Sequence, residues 1–246
     1  MRISEERQRE GMQFAGKKLR HEMKYYIHYH EYLGLRERVG AVLTMDKNSI
    51  GRDGYHIRSL YFDNMHEAAL NDKNDGIFQR KKYRIRIYNK SDRVIKLERK
   101  SKYHEYIAKE SASMTREEYD RIIAGDWEFL RNSESPLARD FYFDNKHGLL
   151  KPAVVVDYQR EAYIFPVSDV RITFDKSLKG SIQSLDIFDP NLPMVESIEG
   201  PKTILEVKYN QFLPDFVYGL IQMSAANRST ISKYVICRER RKSYAD

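Results

Sequence analysis

The feature that most constrains this chain is a set of strand-like segments in which charged and apolar residues alternate. Such segments lie at 84–86, 96–100, 171–175 and 204–208. Because side chains two apart in a strand point to the same side, Arg84 and Arg86 share one face, as do Glu206 and Lys208. Like charges that crowd one face repel each other, so the strands are expected to hold something anionic between their cations. A polyphosphate chain together with a divalent metal ion meets that requirement.

Size and composition indicate a folded protein with an anionic partner. The 246 residues are enough for one large domain or two small ones. With 41% apolar and 12% aromatic residues, the chain can build a core and does not resemble a disordered protein. A net charge of +7 favours nucleic acid, anionic lipid or a phosphorylated small molecule as the partner, although many basic proteins are merely soluble.

Several common kinds of site and location are excluded or disfavoured by simple inspection. The single cysteine, Cys237, rules out an intramolecular disulfide and a cysteine-rich zinc site. No G-x-x-x-x-G-K-[ST], G-x-G-x-x-G or H-E-x-x-H pattern is present, and His28 and His30 lack an obvious third ligand. No apolar run approaches the roughly 20 residues of a membrane span, and the N-terminal residues lack an apolar signal core. We therefore expect a cytoplasmic protein.

The order of predicted strands and helices favours one continuous domain over 20–246, preceded by a helical leader over 1–19 whose helix spans 4–17. Strands are predicted at 21–29, 55–62, 80–88, 93–100, 103–110, 153–165, 169–175, 194–198 and 202–210. Helices are predicted at about 30–46, after Asn64, after Thr115, after Ser135, near Pro214 and over much of 228–241. These elements match neither a regular βαβ alternation nor a sandwich. They predict an α+β fold, an antiparallel eight-stranded β-barrel with helices packed outside it and a lumen that can hold a ligand.

The predicted hairpin of strands 80–88 and 93–100 brings many of the cations together. One face of the first strand carries Arg80, Lys82, Arg84, Arg86 and Tyr88, and the matching face of its partner carries Lys96, Glu98 and Lys100. Arg160 and Arg171 add further cations, either in the lumen or at strand ends in solvent. Arginine forks grip phosphate oxygens in a bidentate way, and lysine adds a movable point charge. Two alternatives stay open for the hairpin face: an ordinary sheet surface in water and a groove for nucleic acid.

A carboxylate within these basic strands is a candidate metal ligand. Glu206 lies between two apolar residues, with a lysine two positions further on. Facing a basic lumen, it suits Mg²⁺ or Mn²⁺, hard ions that prefer oxygen ligands and bridge phosphate oxygens. The alternative is a plain Glu–Lys ion pair across strands. Glu22 and Glu98 are secondary candidates, which fit an orienting partner for cations better than a metal ligand.

Eight segments, in this order along the chain, resemble a known family. They are 20–26 (RHEMKYY), 59–64 (SLYFDN), 83–88 (YRIRIY), 97–100 (LERK), 158–160 (YQR), 170–175 (VRITFD), 205–209 (LEVKY) and 232–234 (SKY). Each segment is weak alone, whereas the ordered set is specific and runs over about 20–236. The set resembles the VTC (vacuolar transporter chaperone) polyphosphate polymerase domain, a branch of the triphosphate tunnel metalloenzyme superfamily. That resemblance implies an antiparallel barrel with a basic lumen that binds a triphosphate.

The resemblance also implies which residues act. The side chains implied to hold phosphates are Lys24, Arg84, Arg86, Lys100, Lys109, Arg160, Arg171, Lys208, Ser232 and Lys233. The subset implied to serve catalysis directly is Lys24, Arg84, Arg86, Lys100, Arg160 and Arg171. Glu206 is implied to bind Mn²⁺ or Mg²⁺. The implied reaction transfers the terminal phosphate of ATP, or of another nucleoside triphosphate, to a growing inorganic polyphosphate chain, chiefly through positioning and cation clamps.

One departure from the superfamily pattern bears on the choice among activities. Tunnel hydrolases carry E-x-E-x-K in their first strand, whereas this chain has Arg20, Glu22 and Lys24. An arginine at the first acidic position disfavours a two-metal hydrolase and suits the polymerase branch. The alternatives are a hydrolase of tripolyphosphate or nucleoside triphosphates, and a non-catalytic polyphosphate-binding module such as a scaffold for a separate membrane-protein partner. Nucleic acid is not expected as a ligand.

Overall fold

One antiparallel sheet of eight long strands dominates the protein. The structure is a computed structural model that describes residues 13, 14, 17, 18, 20–75, 77, 79–103, 106–222 and 228–244. In spatial order the strands are β3 (His21–His28), β12 (Lys202–Tyr209), β10 (Val170–Ser181), β9 (Lys151–Phe165), β5 (Tyr55–Asp63), β6 (Gln79–Tyr88), β7 (Ser91–Tyr103) and β8 (Tyr106–Met114). Short strands β4 (Thr44–Met45) and β11 (Met194–Glu196) pair with β9 and β10, and β1 (Gln13–Phe14) and β2 (Lys17–Lys18) form a separate hairpin. The predicted antiparallel eight-stranded barrel is confirmed.

The first and last strands of this sheet, β3 and β8, come together at a seam that no hydrogen-bonded ladder closes among the described residues. An isolated antiparallel bridge joins Arg20, directly before β3, to Ile107 in β8. An ion pair of 2.9 Å between Lys100 Nζ of β7 and Glu22 Oε2 of β3 crosses the same junction. Among the described residues the seam therefore consists of one backbone bridge and side-chain contacts. All other neighbours in the barrel share hydrogen-bonded ladders, three of which contain a register shift.

Among the described residues, six α-helices accompany the barrel, and those predicted after Thr115 and Ser135 begin directly after these caps. They are α1 (Tyr29–Val42), α2 (Ala68–Asn74), α3 (Arg116–Ile123), α4 (Pro136–Gly148), α5 (Asp215–Ile221) and α6 (Lys233–Lys242). The capping box predicted at Thr115 is present, since its hydroxyl accepts the Glu118 N–H and the Glu118 carboxylate accepts the Thr115 N–H. Within the described ranges, no helix is long and apolar enough to cross a lipid bilayer.

Two of the three apolar clusters lie outside the barrel, between the strands and the helices. Ile85 of β6 and Leu97 of β7 point outward and pack in one cluster with Phe141 of α4. A second cluster joins Leu35 of α1 to Ile172 of β10. These contacts bury one face of each strand, which leaves the other face for the lumen. Helices packed outside the barrel are thus confirmed for α1 and α4.

The last helix, α6, packs against the opposite, inward side of the sheet. Tyr234 and Cys237 of α6 belong to an apolar cluster with the inward-facing Tyr61 and Val156. Gly180 of β10 permits this approach, because a Cβ at that position would lie 2.9 Å from Cys237 Cβ. The first turn of α6 therefore reaches the lumen and contributes to its wall.

Several predicted helix boundaries are wrong. The helix predicted at 30–46 ends at Val42, because the next residues extend and pair with β9 as β4. The helix predicted to cover much of 228–241 is present as α6, which begins at Lys233 after a serine cap. Of the helix predicted at 4–17, residues 13, 14 and 17 belong to the β1–β2 hairpin, and the others lie outside the described residues. The division into a leader and one domain stays a prediction.

A basic tunnel as the candidate functional site

The inward faces of the barrel strands line a cavity of about 1670 Å³, called the tunnel below. Fourteen lysines and arginines but only four glutamates line it among the described residues. Such an excess of cations in an enclosed, low-dielectric space attracts polyanions. Every side chain predicted to bind phosphate or metal is on this wall: Glu22, Lys24, Arg84, Arg86, Glu98, Lys100, Lys109, Arg160, Arg171, Glu206, Lys208, Ser232 and Lys233. The roles assigned to them stay predictions.

Strand alternation explains why the cations of β6 face the tunnel. Arg84 and Arg86 line the cavity, whereas Tyr83, Ile85 and Ile87 lie in the outer apolar cluster. The alternative of a sheet face in open water does not hold here, since Arg86 is only 5% exposed. Barrel closure is what turns a basic sheet face into a buried basic wall.

Glu98 organises the cations on the β6–β7 side of the tunnel. Its Oε2 accepts a hydrogen bond from Arg84 Nε at 2.7 Å, its Oε1 pairs with Lys109 Nζ, and Arg86 Nε lies 3.8 Å away. Arg84 also donates through Nη1 to the hydroxyl of Tyr61 at 2.7 Å. Burial alone would raise the pKa of Glu98, but Arg84, Arg86 and Lys109 hold it well below its usual range. Glu98 is thus ionised and surrounded by cations, which suits orienting them better than binding a metal.

Glu22 has a similar place on β3. Its carboxylate pairs with Lys24 Nζ at 2.7 Å and with Lys100 Nζ at 2.9 Å. Burial and the nearby Glu206 would raise the pKa of Glu22, yet Lys100 and Lys24 lower it to about 2. Lys24 Nζ is fixed further by donating to the carbonyl of Ile231 at 3.0 Å. Desolvation in the tunnel lowers the pKa of Lys100 to about 7, so this cation is the one most easily discharged.

Glu206, the predicted metal ligand, has one engaged oxygen and one more open oxygen. Oε1 pairs with Lys208 Nζ at 2.5 Å, which is the ion pair anticipated as the alternative. Oε2 has Arg160 Nη2 and Lys233 Nζ at 3.8 Å each, beyond hydrogen-bond length. Burial would raise the pKa of Glu206, but Lys208, Lys24 and the two other cations hold it well below its usual range. The carboxylate is therefore ionised and offers Oε2 as a ligand.

The donors around Glu206 fit a divalent cation that is bound partly by its substrate. Mg²⁺ in particular is usually held by one or two carboxylates together with phosphate oxygens and water. Within the described residues, no group of three or more His, Cys, Asp or Glu forms a complete protein cage. Thr173, directly opposite Glu206 on β10, adds a buried hydroxyl that has no hydrogen-bond partner in the described part of the chain. Glu206 would thus hold the ion, with its other positions left to phosphate and water.

Two residues whose role the sequence did not assign hold cations of the site in place. Asp175 on β10 accepts from Arg160 Nε and Nη2 at 2.6 and 2.7 Å, and pairs with Lys233 Nζ at 2.6 Å. Tyr158 on β9 accepts from Arg86 Nη2 at 3.2 Å. Alternation along β10 places Asp175 inward, but only the pairing of β10 with β9 shows that it faces Arg160. Strand pairing was the missing signal.

Three other residues of the predicted basic faces, Arg171, Ser232 and Lys96, make contacts outside the glutamate clusters described above. Arg171 pairs with Asp46 at 2.6 Å through Nη2, which ties β10 to the loop after β4. Ser232 caps α6 and accepts from Lys82 Nζ at 3.4 Å. Lys96 shares the inward register of its strand but is not part of the tunnel lining, and its Nζ donates to a serine of β8 at 2.8 Å. The basic face predicted for β7 is therefore shorter than expected.

Comparisons with known proteins agree with this geometry. A family model described as the VTC domain matches residues 19–240. The matched range runs from just before β3 to within α6 and so includes every strand of the barrel. No curated protein matches the sequence at a significant level.

Solved structures share the fold at low identity. A putative adenylate cyclase from Vibrio parahaemolyticus is 11% identical with a TM-score of 0.50, over 89% of this chain and 98% of that chain. The PH1819 protein from Pyrococcus horikoshii OT3 is 14% identical over 90% and 99% of the two chains, with a TM-score of 0.47. The Mimivirus capping enzyme triphosphatase is 12% identical over 85% and 92%, with a TM-score of 0.40. The first similarity supports the tunnel fold alone, and the other two carry no weight because their TM-scores are below 0.5.

Proposed function

The chain belongs to the VTC domain family, and from this premise we propose that it is a metal-dependent phosphotransferase. It binds ATP or another nucleoside triphosphate in the tunnel and transfers the terminal phosphate to inorganic polyphosphate. The observation that carries the proposal is the convergence of cations from seven barrel strands and α6 around three glutamates whose side chains are at most 5% exposed. Those glutamates are Glu22, Glu98 and Glu206.

The cations are held in place before any ligand arrives. Arg84 is fixed by Glu98 and Tyr61, Arg86 donates to Tyr158, and Arg160 is bound at two points by a carboxylate. Because these side chains are already oriented, they lose little conformational entropy when the transition state forms. Their electrostatic stabilisation of its negative charge is therefore not offset by an ordering cost. Bidentate guanidinium forks also suit the tetrahedral oxygens of successive phosphates.

Phosphoryl transfer asks little covalent chemistry of the protein. The bond between the terminal phosphorus and its bridging oxygen breaks, and a terminal oxygen of polyphosphate forms the new bond on the opposite side. The charge spread over the equatorial oxygens is stabilised by arginine and lysine side chains of the tunnel. A polyphosphate end is already anionic, so no side chain has to remove a proton from it. A divalent ion held by Glu206 would supply charge neutralisation on the phosphate oxygens.

The tunnel wall favours a phosphate acceptor over water. Arg20, which stands where tunnel hydrolases have their first acid, lines the cavity beside the seam of the barrel. A cation there attracts a second polyanion, whereas a hydrolase with two metal ions needs a carboxylate at that place. Release of orthophosphate remains the competing outcome if water reaches the terminal phosphate.

Phosphorus NMR on the purified chain with ATP, Mn²⁺ and a short polyphosphate primer tests the proposal. We expect growth of the signal from internal phosphates, and loss of at least about 100-fold in rate for Glu206→Gln. Lys81→Met, on the outer side of β6, is the matched control and should keep the wild-type rate. Orthophosphate without chain growth would identify a hydrolase instead. Tight polyphosphate binding without any turnover would identify a binding module.

A further inference from the structure

Asp175 is a buried charge that lies directly behind the tunnel wall. It is 1% exposed and is absent from the tunnel lining, because the side chains of Arg160 and Lys233 cover it. Both of its oxygens are used: Oδ1 accepts Arg160 Nε, and Oδ2 accepts Arg160 Nη2 and Lys233 Nζ. Among the described residues it therefore links one cation of β9 to one cation of α6.

The same two cations are also the neighbours of Glu206 Oε2. Arg160 Nη2 and Lys233 Nζ lie 2.6–2.7 Å from Asp175 but 3.8 Å from Glu206. Two carboxylates thus compete for one pair of cations, and Asp175 has the close contacts. Thr173, opposite Glu206, leaves its buried hydroxyl without a partner on the same side.

These distances matter because a carboxylate oxygen in direct contact with cations is a poor metal ligand. A charge-assisted hydrogen bond at 2.7–2.9 Å occupies the lone pairs that a hard cation would use. If Arg160 and Lys233 moved about 1 Å towards Glu206, they would make such bonds to Oε2. Asp175 prevents that movement because its carboxylate accepts two hydrogen bonds from Arg160, one from Nε and one from Nη2.

On the basis of the proposed function, we infer that Asp175 is a positioning residue. It keeps Arg160 and Lys233 away from Glu206, so that Glu206 Oε2 stays available to a divalent cation and the two cations stay available to phosphate. Asp175 itself touches neither the metal nor the substrate.

A simple charge effect predicts the opposite result, which makes the inference testable. Asp175 contributes one negative charge beside a site for polyanions, so its neutralisation alone should tighten binding of a polyanion. Positioning predicts weaker binding instead, because the released cations would turn to Glu206. A merely structural role predicts a lower midpoint of unfolding without any selective effect on metal.

The experiment measures how much Mn²⁺ increases the affinity for tripolyphosphate in the full chain. Calorimetry gives the affinity for tripolyphosphate with EDTA, and water-proton relaxation gives the affinity for Mn²⁺–tripolyphosphate. We expect wild type to bind the Mn²⁺ complex more tightly, and Glu206→Gln to lose that gain. In Asp175→Asn the increase in affinity that Mn²⁺ gives should be at least about tenfold smaller than in wild type. The affinity of this variant for tripolyphosphate in the presence of EDTA should not exceed that of wild type. Asp175→Glu, which keeps the carboxylate, should recover part of it.

A double variant separates positioning from independent effects. In the Glu206→Gln background, Asp175→Asn should change the Mn²⁺-dependent gain no further, because the oxygen it protects is gone. Additive losses would overturn the inference, as would an Asp175→Asn protein that binds the Mn²⁺ complex as well as wild type does, or that binds metal-free tripolyphosphate more tightly than wild type does. If Asp175→Asn does not fold, Asp175→Glu alone decides: a gain that is fully or partly kept supports positioning by the carboxylate, and a loss as large as that of Glu206→Gln refutes it. Failure of wild type to bind tripolyphosphate at all would instead count against the proposed function.

Discussion

The two faces of β6 show how this protein separates folding from ligand binding. On the outer face, Tyr83, Ile85 and Ile87 are at most 2% exposed and pack against helices. On the inner face, Arg84 and Arg86 are also largely shielded, yet they meet carboxylates and hydroxyls instead of apolar groups. One strand therefore serves an apolar core on one side and a polar cavity on the other. For β6, the comparison predicts that its outer face contributes mainly to stability and its inner face mainly to ligand affinity.

The inner face is tolerated because its charges are paired, although not balanced. Glu22, Glu98 and Glu206 are each ionised and each contacts at least one cation at hydrogen-bond distance. Buried ion pairs contribute little net stability, since desolvation cancels much of their attraction. The tunnel has more cations than carboxylates among its described residues. A bound polyanion would supply the negative charge that balances them.

The largest effect on stability is expected for the outer face. Phe141 of α4 is fully buried, and its ring lies 5.1 Å from that of Phe62 and 4.7 Å from that of Trp127. Phe141→Ala should lower the free energy of unfolding by about 3–5 kcal/mol, because it leaves a cavity in this cluster. Urea unfolding measures the loss. Tripolyphosphate affinity of the folded protein should stay within about twofold of wild type, and a tenfold loss would show that the two faces are not separable.

On the inner face the expected effect is on binding. Arg86→Met keeps a long side chain but removes the guanidinium that bonds Ser59 and Tyr158. Loss of one charge-assisted contact to phosphate should weaken tripolyphosphate binding by about 10- to 100-fold in calorimetry. The free energy of unfolding should change by less than about 1 kcal/mol, because a surplus cation is removed. If Arg86→Met lowered the free energy of unfolding but kept the wild-type affinity for tripolyphosphate, the inner face of β6 would serve stability and not binding.

Proton linkage gives a smaller effect that also belongs to the inner face. Desolvation lowers the pKa of Lys100 to about 7 and that of Lys109 to about 8. A bound polyanion stabilises the protonated lysines and raises both pKa values, so binding takes up protons. Affinity for tripolyphosphate is therefore highest below pH 7 and should fall by about tenfold between pH 7 and pH 9.

The variant Lys100→Arg controls for the ionisation of tripolyphosphate itself. An arginine stays charged throughout this range, so the fall in affinity should be shallower than in wild type. Calorimetry in buffers of different ionisation enthalpy gives the number of protons taken up directly. Equal pH profiles for the two proteins would show that Lys100 is already fully charged in the free tunnel.

The smallest effect is expected for a cation on the outer face of the same strand. Lys81 pairs with Asp144 at 2.6 Å, and its side chain is 55% exposed. Lys81→Met should change the free energy of unfolding by less than about 1 kcal/mol, as is typical of exposed ion pairs. Tripolyphosphate affinity should stay within about twofold of wild type, because water and salt screen this charge from the tunnel. A loss comparable to that of Arg86→Met would mean that total charge, and not inward position, governs binding.

Local patterns in the sequence predicted much of the barrel. The alternation in 80–88 assigned each side chain of β6 to its correct face, and Ser135 followed by proline marked the start of α4. Helix ends were less well predicted. The apolar spacing that suggested a helix to residue 46 continues into β4, and only the pairing of β4 with β9 ends α1 at Val42. Pairing is tertiary information that periodicity does not contain.

The sequence predicted which residues line the candidate site but not which of their side chains contact each other. Glu206 and its lysine neighbour share a face in any strand, so their ion pair follows from spacing alone. Contact between Asp175 and Lys233 joins residues 58 positions apart along the chain and depends on how α6 enters the barrel. An aspartate in a strand otherwise suggests an exposed or end position, so composition argued against its burial. Only the assembled tunnel shows that it has two cationic partners.

The most direct test is a crystal structure of the protein with tripolyphosphate and Mn²⁺. We predict phosphate density inside the barrel, in contact with Arg84, Arg86 and Arg160, and an anomalous manganese peak bonded to a Glu206 oxygen. Tripolyphosphate bound only on the outer surface, or a tunnel that holds water alone at saturating ligand, would contradict the claim that the inward face is the binding site.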